Sequence, residues 1–200
     1  MSVTTFDLIR HGEPVGGRKY RGQIDDPLSD KGWQQMRDAV GAHHPWDQIM
    51  TSPLTRCAAF ADEVAKRHSI ALESDARLKE IGFGDWEGRT AQQIQTEQPG
   101  LLEAFWTDPV KNRPPGAEPL VDFQQRIVSA WDDLLAQYAG QHILVVCHAG
   151  VIRMTMLHAL GMPIDHIFRI QVANASITRI QVDRHEAQFF PRLIFHGGTL

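Results

Sequence analysis

Short runs of β-branched and aliphatic residues alternate along this chain with longer stretches in which apolar positions recur at helical spacing. That alternation predicts an α/β sheet with helices on both faces. Thr4 to Ile9 reads as the first strand. After a Gly- and Pro-rich loop, Asp26-Pro27-Leu28-Ser29 leads into a helix expected over Asp30 to His43, with Ser29 as its N-cap. A second strand is expected around Asp47 to Thr51. It runs into Ser52-Pro53, where a hydroxyl cap and a proline at the first helical position predict a helix carrying Arg56 in its first turn.

The fully apolar run Ile143 to Cys147 predicts a buried strand, followed by His148-Ala149-Gly150 and a helix over Val151 to Leu160 that Gly161 and Pro163 stop. Ser176 to Val182 and Phe189 to Phe195 read as closing strands, with a hairpin turn at Asp183 to Glu186 and a frayed tail from Gly197 to Leu200. The expectation is a mostly parallel central sheet flanked by helices on both faces, in a single domain over residues 1–200. A small inserted cap is expected at about 97–118, where Pro99, Pro109, Pro114 and Pro115 punctuate the chain.

Three of these strands end in polar side chains that a buried strand tip has no packing reason to carry: Arg10-His11, Thr51-Ser52 with Arg56 just beyond, and His148. Parallel strands gather their carboxyl ends at one crevice, where ligands of open α/β sheets bind. Two guanidinium groups, two imidazoles and a helix N-terminus together make an anion site, with phosphate as the expected occupant.

Composition narrows the picture. With 42% hydrophobic and 22% charged residues and a formal net charge of -4, the 200-residue chain has the make-up of a globular protein without the bulk basic surface that nucleic acid requires. No apolar run reaches bilayer length, and the N-terminus lacks the charged and apolar regions of a leader, so the mature chain is expected to begin at or near Met1. Cys57 and Cys147 form no CxxC, so a reducing, cytoplasmic home is expected. No HExxH or other metal-ligand spacing is present, and neither metal nor cofactor is expected.

Further blocks give the crevice a chemistry. Leu8-Ile9-Arg10-His11-Gly12-Glu13, Asp26-Pro27-Leu28-Ser29 with Gly32, Ser52-Pro53-Leu54-Thr55-Arg56, Arg77-Leu78 to Glu80, Phe83-Gly84-Asp85-Trp86-Glu87-Gly88, Pro115-Gly116-Ala117-Glu118 with Phe123 and Arg126, and Val146-Cys147-His148-Ala149-Gly150 follow one another in order. Together they resemble the histidine phosphatase superfamily, which includes cofactor-dependent phosphoglycerate mutases, fructose-2,6-bisphosphatases and α-ribazole phosphatases. The resemblance covers nearly the whole chain.

It implies that His11 is a nucleophile forming a phosphohistidine that water later attacks. Such chemistry needs a neutral ring nitrogen in line with phosphorus, so the other nitrogen must donate to a fixed acceptor, for which the Gly12 carbonyl is placed. Arg10, Arg56 and a protonated His148 are expected to bear the charge of the transferring phosphoryl group. By motif position Glu80 is the proton donor to the leaving group, and Gly22, Gln23 and Ala149 are expected to contact substrate. Glu13 is assigned a supporting role in orienting the loop or the arginines, Ser52 is read as a helix cap, and Trp86 as core.

Many members of the family carry a threonine after the signature glutamate and an asparagine several residues later. Here Pro14 to Gly22 is shorter and has no asparagine; a backbone N–H of Gly16 or Gly17 is the expected substitute. Arg18-Lys19-Tyr20-Arg21 reads equally as a solvated loop or as a contact for an anionic or aromatic substrate tail, with Tyr20 stacked on a base.

The compact chain resembles phosphatases more than mutases. The blocks at residues 21–28 and 148–153 look most like α-ribazole-phosphate phosphatases of cobalamin synthesis, with a broad-specificity sugar or nucleotide phosphatase or a mutase-like enzyme as the alternative. Rivals from other classes are a metal-dependent hydrolase and a phosphate-binding module without turnover. The expected partner is a small phosphomonoester, not nucleic acid or membrane, and the chain is expected to be a monomer or homodimer.

Overall fold

The computed structural model describes residues 2–186 and 188–200; Met1, where the chain is expected to begin, lies outside them. Six strands form one sheet in the order β3-β2-β4-β1-β5-β6. Strands β1 (Val3–Arg10), β2 (Gln48–Thr51), β3 (Ala71–Ser74) and β4 (His142–Cys147) run parallel, and β5 (Ile177–His185) and β6 (Gln188–Gly198) add an antiparallel edge. The sheet is therefore mixed, with the expected parallel centre.

Period-2 alternation sorts the central strands between two cores. Phe6 and Leu8 of β1 and Ile143, Val145 and Cys147 of β4 face α5 (Leu120–Gln137) and α6 (Ala149–Ala159). Ile9, Leu144 and Val146 face α1 (Asp30–Val40) and α2 (Thr55–His68) on the other side. Both faces are covered, which is why these strands read as continuous apolar runs.

Ser29 caps α1 as expected, accepting from the Gly32 amide at 3.0 Å. That helix ends at Val40, short of the expected His43, because Gly41 turns the chain at a φ of 51° and its amide closes on the Arg37 carbonyl. Helix α2 begins at Thr55 rather than at Ser52-Pro53. Its first amide and the Thr55 hydroxyl both donate to Asp25, at 2.6 and 2.8 Å, so Asp25 rather than Ser52 serves that terminus.

The closing hairpin is longer than the sequence suggests. Strand β5 continues through Asp183, which pairs with Phe190, to His185, which pairs with Gln188, so of the expected turn at Asp183 to Glu186 only Glu186 lies outside the strand. The tail is also paired: β6 runs to Gly198, and the Leu200 amide donates to the Ala39 carbonyl at 2.9 Å. Backbone pairing across an edge strand outweighs the flexibility that two glycines suggest.

Between β3 and α5 lie 3-10 turns at Ala76–Leu78 and Gly84–Trp86 and the short helices α3 (Ala91–Glu97) and α4 (Leu101–Thr107). Leu78 of the first turn packs into the core of α5 and α6, whereas a small core of Trp86, Ile94, Leu102 and Phe105 holds the second turn and both helices, and Trp86 is fully buried, as its reading as core requires. No helix among the described residues is long and apolar enough to cross a membrane.

Candidate active site

Register places the polar tips side by side. Arg10 pairs with Cys147 across β1 and β4, and Thr51 with Val146 across β2 and β4. The ladder then continues past the strand ends: the His11 amide donates to the Cys147 carbonyl and the Ser52 amide to the Val146 carbonyl, each at 3.0 Å. Backbone pairing alone thus delivers Arg10, His11, Ser52 and His148 to one spot.

His11 and His148 stand edge to face with ring centroids 5.2 Å apart, and both are buried. Nδ1 of His11 lies 2.8 Å from the Gly12 carbonyl, an acceptor only, so Nδ1 carries the proton and Nε2 the free lone pair. Burial, and after it the charges of Arg10 and Arg56, hold the His11 imidazolium pKa well below its ordinary value.

His148 differs from the expectation of a protonated group. It is 0% exposed, and burial followed by His11, Arg56 and Arg10 pushes its pKa well below the ordinary range, so it is neutral without an anion beside it. Its Nε2 sits 2.8 Å from the Ser52 hydroxyl. Ser52 is therefore the hydrogen-bond partner of His148, a role that spacing along the chain could not reveal, while its hydroxyl also accepts from the Leu54 amide at 3.3 Å just ahead of the helix.

The arginines are held by backbone carbonyls, not by carboxylates. Arg56, 1% exposed, donates from Nη1 to Ile24 at 2.7 Å and from Nη2 to Gly22 at 2.8 Å. Arg10 donates from Nη1 to Val172 at 2.6 Å, and burial lowers its pKa to about 10 with Glu80 opposing the fall. The Nε atoms of Arg10 and Arg56 are buried without a partner among the described residues. Carbonyl anchoring leaves neither guanidinium in a salt bridge among the described residues, and a buried donor without an acceptor costs about 1–3 kcal/mol or more. An anion between the two guanidinium groups removes that cost.

At the expected helix N-terminus, Asp25 occupies the first amide of α2. Gly22 serves as the acceptor that fixes Arg56, and the Gln23 amide donates to Glu87 at 3.0 Å. Ala149 is buried in the first turn of α6. Glu80 receives the Ile81 amide on Oε1 at 3.0 Å and the Gly150 amide on Oε2 at 3.1 Å, which tethers its carboxylate to the turn after His148.

Behind Glu80, Arg126 donates to the carbonyls of Arg77, Lys79 and Glu80 and is itself held by the Glu118 carboxylate at 2.6 and 2.8 Å. This clamp makes the 77–82 segment rigid. Glu13, by contrast, pairs through its carboxylate with Lys31 at 2.8 Å while its carbonyl accepts from Ser29, so it orients the loop and not the arginines.

The basic loop is largely tied down. Lys19 and Arg21 pair with Asp26 at 2.7 and 3.0 Å, and Arg21 also donates to the Val15 and Gly17 carbonyls. The Tyr20 ring meets Phe83 and Trp86 edge-on at 5.1 and 5.2 Å. Among the described residues, no group of three or more His, Cys, Asp or Glu is arranged to hold a metal ion.

Residues 6–190 match the model of the histidine phosphatase superfamily (branch 1). The chain belongs to that family. Among curated relatives, the glucosyl-3-phosphoglycerate phosphatase of Mycolicibacterium vanbaalenii is 29% identical over 178 residues, 83% of this chain and 78% of its own. A mycobacterial glucosyl-3-phosphoglycerate phosphatase solved with VO3 superposes with a TM-score of 0.86 at 28% identity, covering 98% of this chain and 99% of that one. The α-ribazole phosphatase of Shigella flexneri gives a TM-score of 0.77 at 25% identity, covering 98% of each chain.

Proposed function

We propose that this histidine phosphatase hydrolyses small phosphomonoesters through a phosphohistidine on His11. The observation that carries the reading is the pair of buried, partnerless Nε donors on Arg10 and Arg56 beside a histidine whose Nδ1 is held by Gly12 and whose Nε2 is free.

The two guanidinium groups receive the phosphoryl oxygens and orient phosphorus toward Nε2 of His11. The Nε2–P bond forms as the ester P–O bond breaks, and the departing alkoxide takes a proton from Glu80. Glu80 then removes a proton from water, whose oxygen attacks phosphorus, and cleavage of the N–P bond returns free His11 and phosphate. A bound phosphoryl group adds negative charge against His148, which offsets the arginines and favours its imidazolium form during transfer.

The blocks at residues 21–28 and 148–153 and the likeness to the Shigella structure support α-ribazole 5′-phosphate as the ester, which would place the enzyme in cobalamin synthesis. The mycobacterial relative favours a second reading, a phosphorylated sugar acid.

The test is phosphate release in EDTA from α-ribazole 5′-phosphate, glucosyl-3-phosphoglycerate, 3-phosphoglycerate, a nucleoside monophosphate and p-nitrophenyl phosphate, with His11→Ala as control. Turnover that survives His11→Ala, or vanishes in EDTA, would sink the mechanism. A lead of orders of magnitude in kcat/KM selects the ester, and uniform slow rates leave a broad-specificity phosphatase.

A further inference from the structure

A cavity of about 560 Å³ opens between α4, α6 and the 3-10 turn Ile164–Arg169, lined by Trp106, Thr107, Arg153, Asp165, Phe168 and Arg169. Its size is that of a small-ligand site. None of these residues belongs to the phosphoryl machinery above.

The cavity adjoins that machinery. Arg153 lies on α6, three residues after Gly150, whose amide holds Glu80. Nε of Arg153 donates to the Ile170 carbonyl at 2.8 Å, two residues from Val172, the carbonyl that holds Arg10. Arg10 and Arg153 are close enough to repel one another, each being drawn toward Glu80.

The wall has an unbalanced charge. Burial depresses the pKa of Arg153, which makes no ion pair among the described residues, and its Nη groups find no acceptor there. Arg169 is exposed and likewise makes no ion pair among them. Asp165 is the one carboxylate in the lining and stands within 4 Å of neither guanidinium. Trp106, 49% exposed, and Phe168 add two aromatic surfaces, and Phe168 already meets the Arg153 guanidinium at 5.8 Å from its ring centre.

We infer that this cavity is a second anion subsite, in which Arg153 and Arg169 take a carboxylate or phosphate on the alcohol portion of the ester while Trp106 and Phe168 cover its carbon skeleton. The inference rests on the reading of the chain as a phosphomonoesterase and names the class of its substrate. Planar guanidinium forks suit either anion. Asp165 can accept from a hydroxyl of the same group. Of the two esters named above, the subsite favours the sugar acid.

Calorimetric binding to the His11→Ala variant tests the subsite without turnover, using 3-phosphoglycerate, glycerol 3-phosphate and propane-1,3-diol bisphosphate. These share a short carbon chain and one phosphate but differ in the second group: a carboxylate, a neutral hydroxyl or a phosphate. The carboxylate and bisphosphate ligands are expected to bind about tenfold or more tighter than glycerol 3-phosphate, the order of one charged hydrogen bond. Which of the two leads tells carboxylate from phosphate. Adding Arg169→Gln should erase that advantage and leave glycerol 3-phosphate within about twofold, and Arg169→Lys should restore part of it.

Equal affinities for all three ligands, or an advantage that survives Arg169→Gln, would overturn the subsite. In the His11-intact protein, p-nitrophenyl phosphate turnover unaltered by Arg169→Gln shows that the phosphoryl site is untouched. Loss of the phosphatase reading alone would show as absent turnover with the binding preference intact.

Discussion

The amide of Gly150 donates to Oε2 of Glu80 at 3.1 Å, and a Cβ placed on Gly150 would overlap Oε1 of the same carboxylate. Glycine is required here for close approach, since its φ is not positive. The turn after His148 thus positions the carboxylate of Glu80, the proposed proton donor.

Gly150→Ala should therefore act on catalysis more than on stability. The obstructed atom is the movable end of a side chain, so the carboxylate swings aside and the fold adjusts. We expect kcat to fall about tenfold or more with Tm nearly unchanged, because a displaced acid loses much of the 10²–10⁴-fold that general acid catalysis contributes. Glu80→Gln should slow an alkyl phosphate far more than p-nitrophenyl phosphate, whose leaving group needs little protonation. Equal slowing of both would count against Glu80 as the acid.

Gly12→Ala makes the opposite expectation. Its Cβ would run into the backbone of Gly32, and the Gly32 Cβ position is filled by the backbone of Glu13. Neither backbone can step aside, so the substitution should lower thermal stability by several kcal/mol, as severe overpacking does. A melting curve like that of the native protein would show that the loop gives way more easily than its packing implies.

The pH profile reports on His11. With its pKa held well below 6.5, Nε2 stays unprotonated and attacking through the range where an exposed histidine would lose activity. The acid limb of kcat/KM for p-nitrophenyl phosphate should therefore lie well below pH 6.5. A midpoint at or above that value would mean that bulk water reaches the ring.

Removing the Ser52 hydroxyl leaves Nε2 of His148 in a fully buried setting without its 2.8 Å partner. Ser52→Ala should cost about 1–3 kcal/mol in denaturant unfolding, the penalty for an unsatisfied buried polar group. A mere cap residue on a helix that Asp25 already serves would cost much less.

Asp7, also 0% exposed, is the hub of a buried charge cluster on β1: Arg179 donates to both its oxygens at 2.7 and 2.9 Å, and Trp46 and His142 contact Oδ2 at 2.9 and 2.8 Å. Burial alone would raise its pKa, but the His142, Arg179 and Trp46 hydrogen bonds outweigh it and bring the value to about 2. The folded pKa lies below the unfolded one, so the stability it contributes is complete above about pH 4 and is lost as pH falls toward 2. Asp7→Asn should cost about 3–5 kcal/mol at neutral pH and flatten the acid end of the stability curve.

Much of this molecule is written in local pattern. The apolar runs of β1 and β4 name the buried strands and put Arg10, His11 and His148 at their tips, Arg56 follows in the first turn of the helix after β2, and Glu80 is singled out by its motif alone. The Gly12 carbonyl as partner of His11 was also legible, because it is the adjacent residue and the chemistry demands an acceptor.

What local pattern could not decide is which distant group each of these residues meets. Ser52 followed by proline reads as a cap, yet its hydroxyl turns to His148, 96 positions away, and Asp25 takes the helix amide instead. His148 looks like a cation by its role in the family, but complete burial among two arginines and a second histidine makes the uncharged form cheaper. The tail at Gly197 to Leu200 looked frayed because glycine propensity is a local quantity, whereas the pairing of β6 along β5 is not. The side chains were specified by the sequence; their protonation, their partners and the unbalanced arginines beside the site were decided by burial and by contacts between segments far apart in the chain.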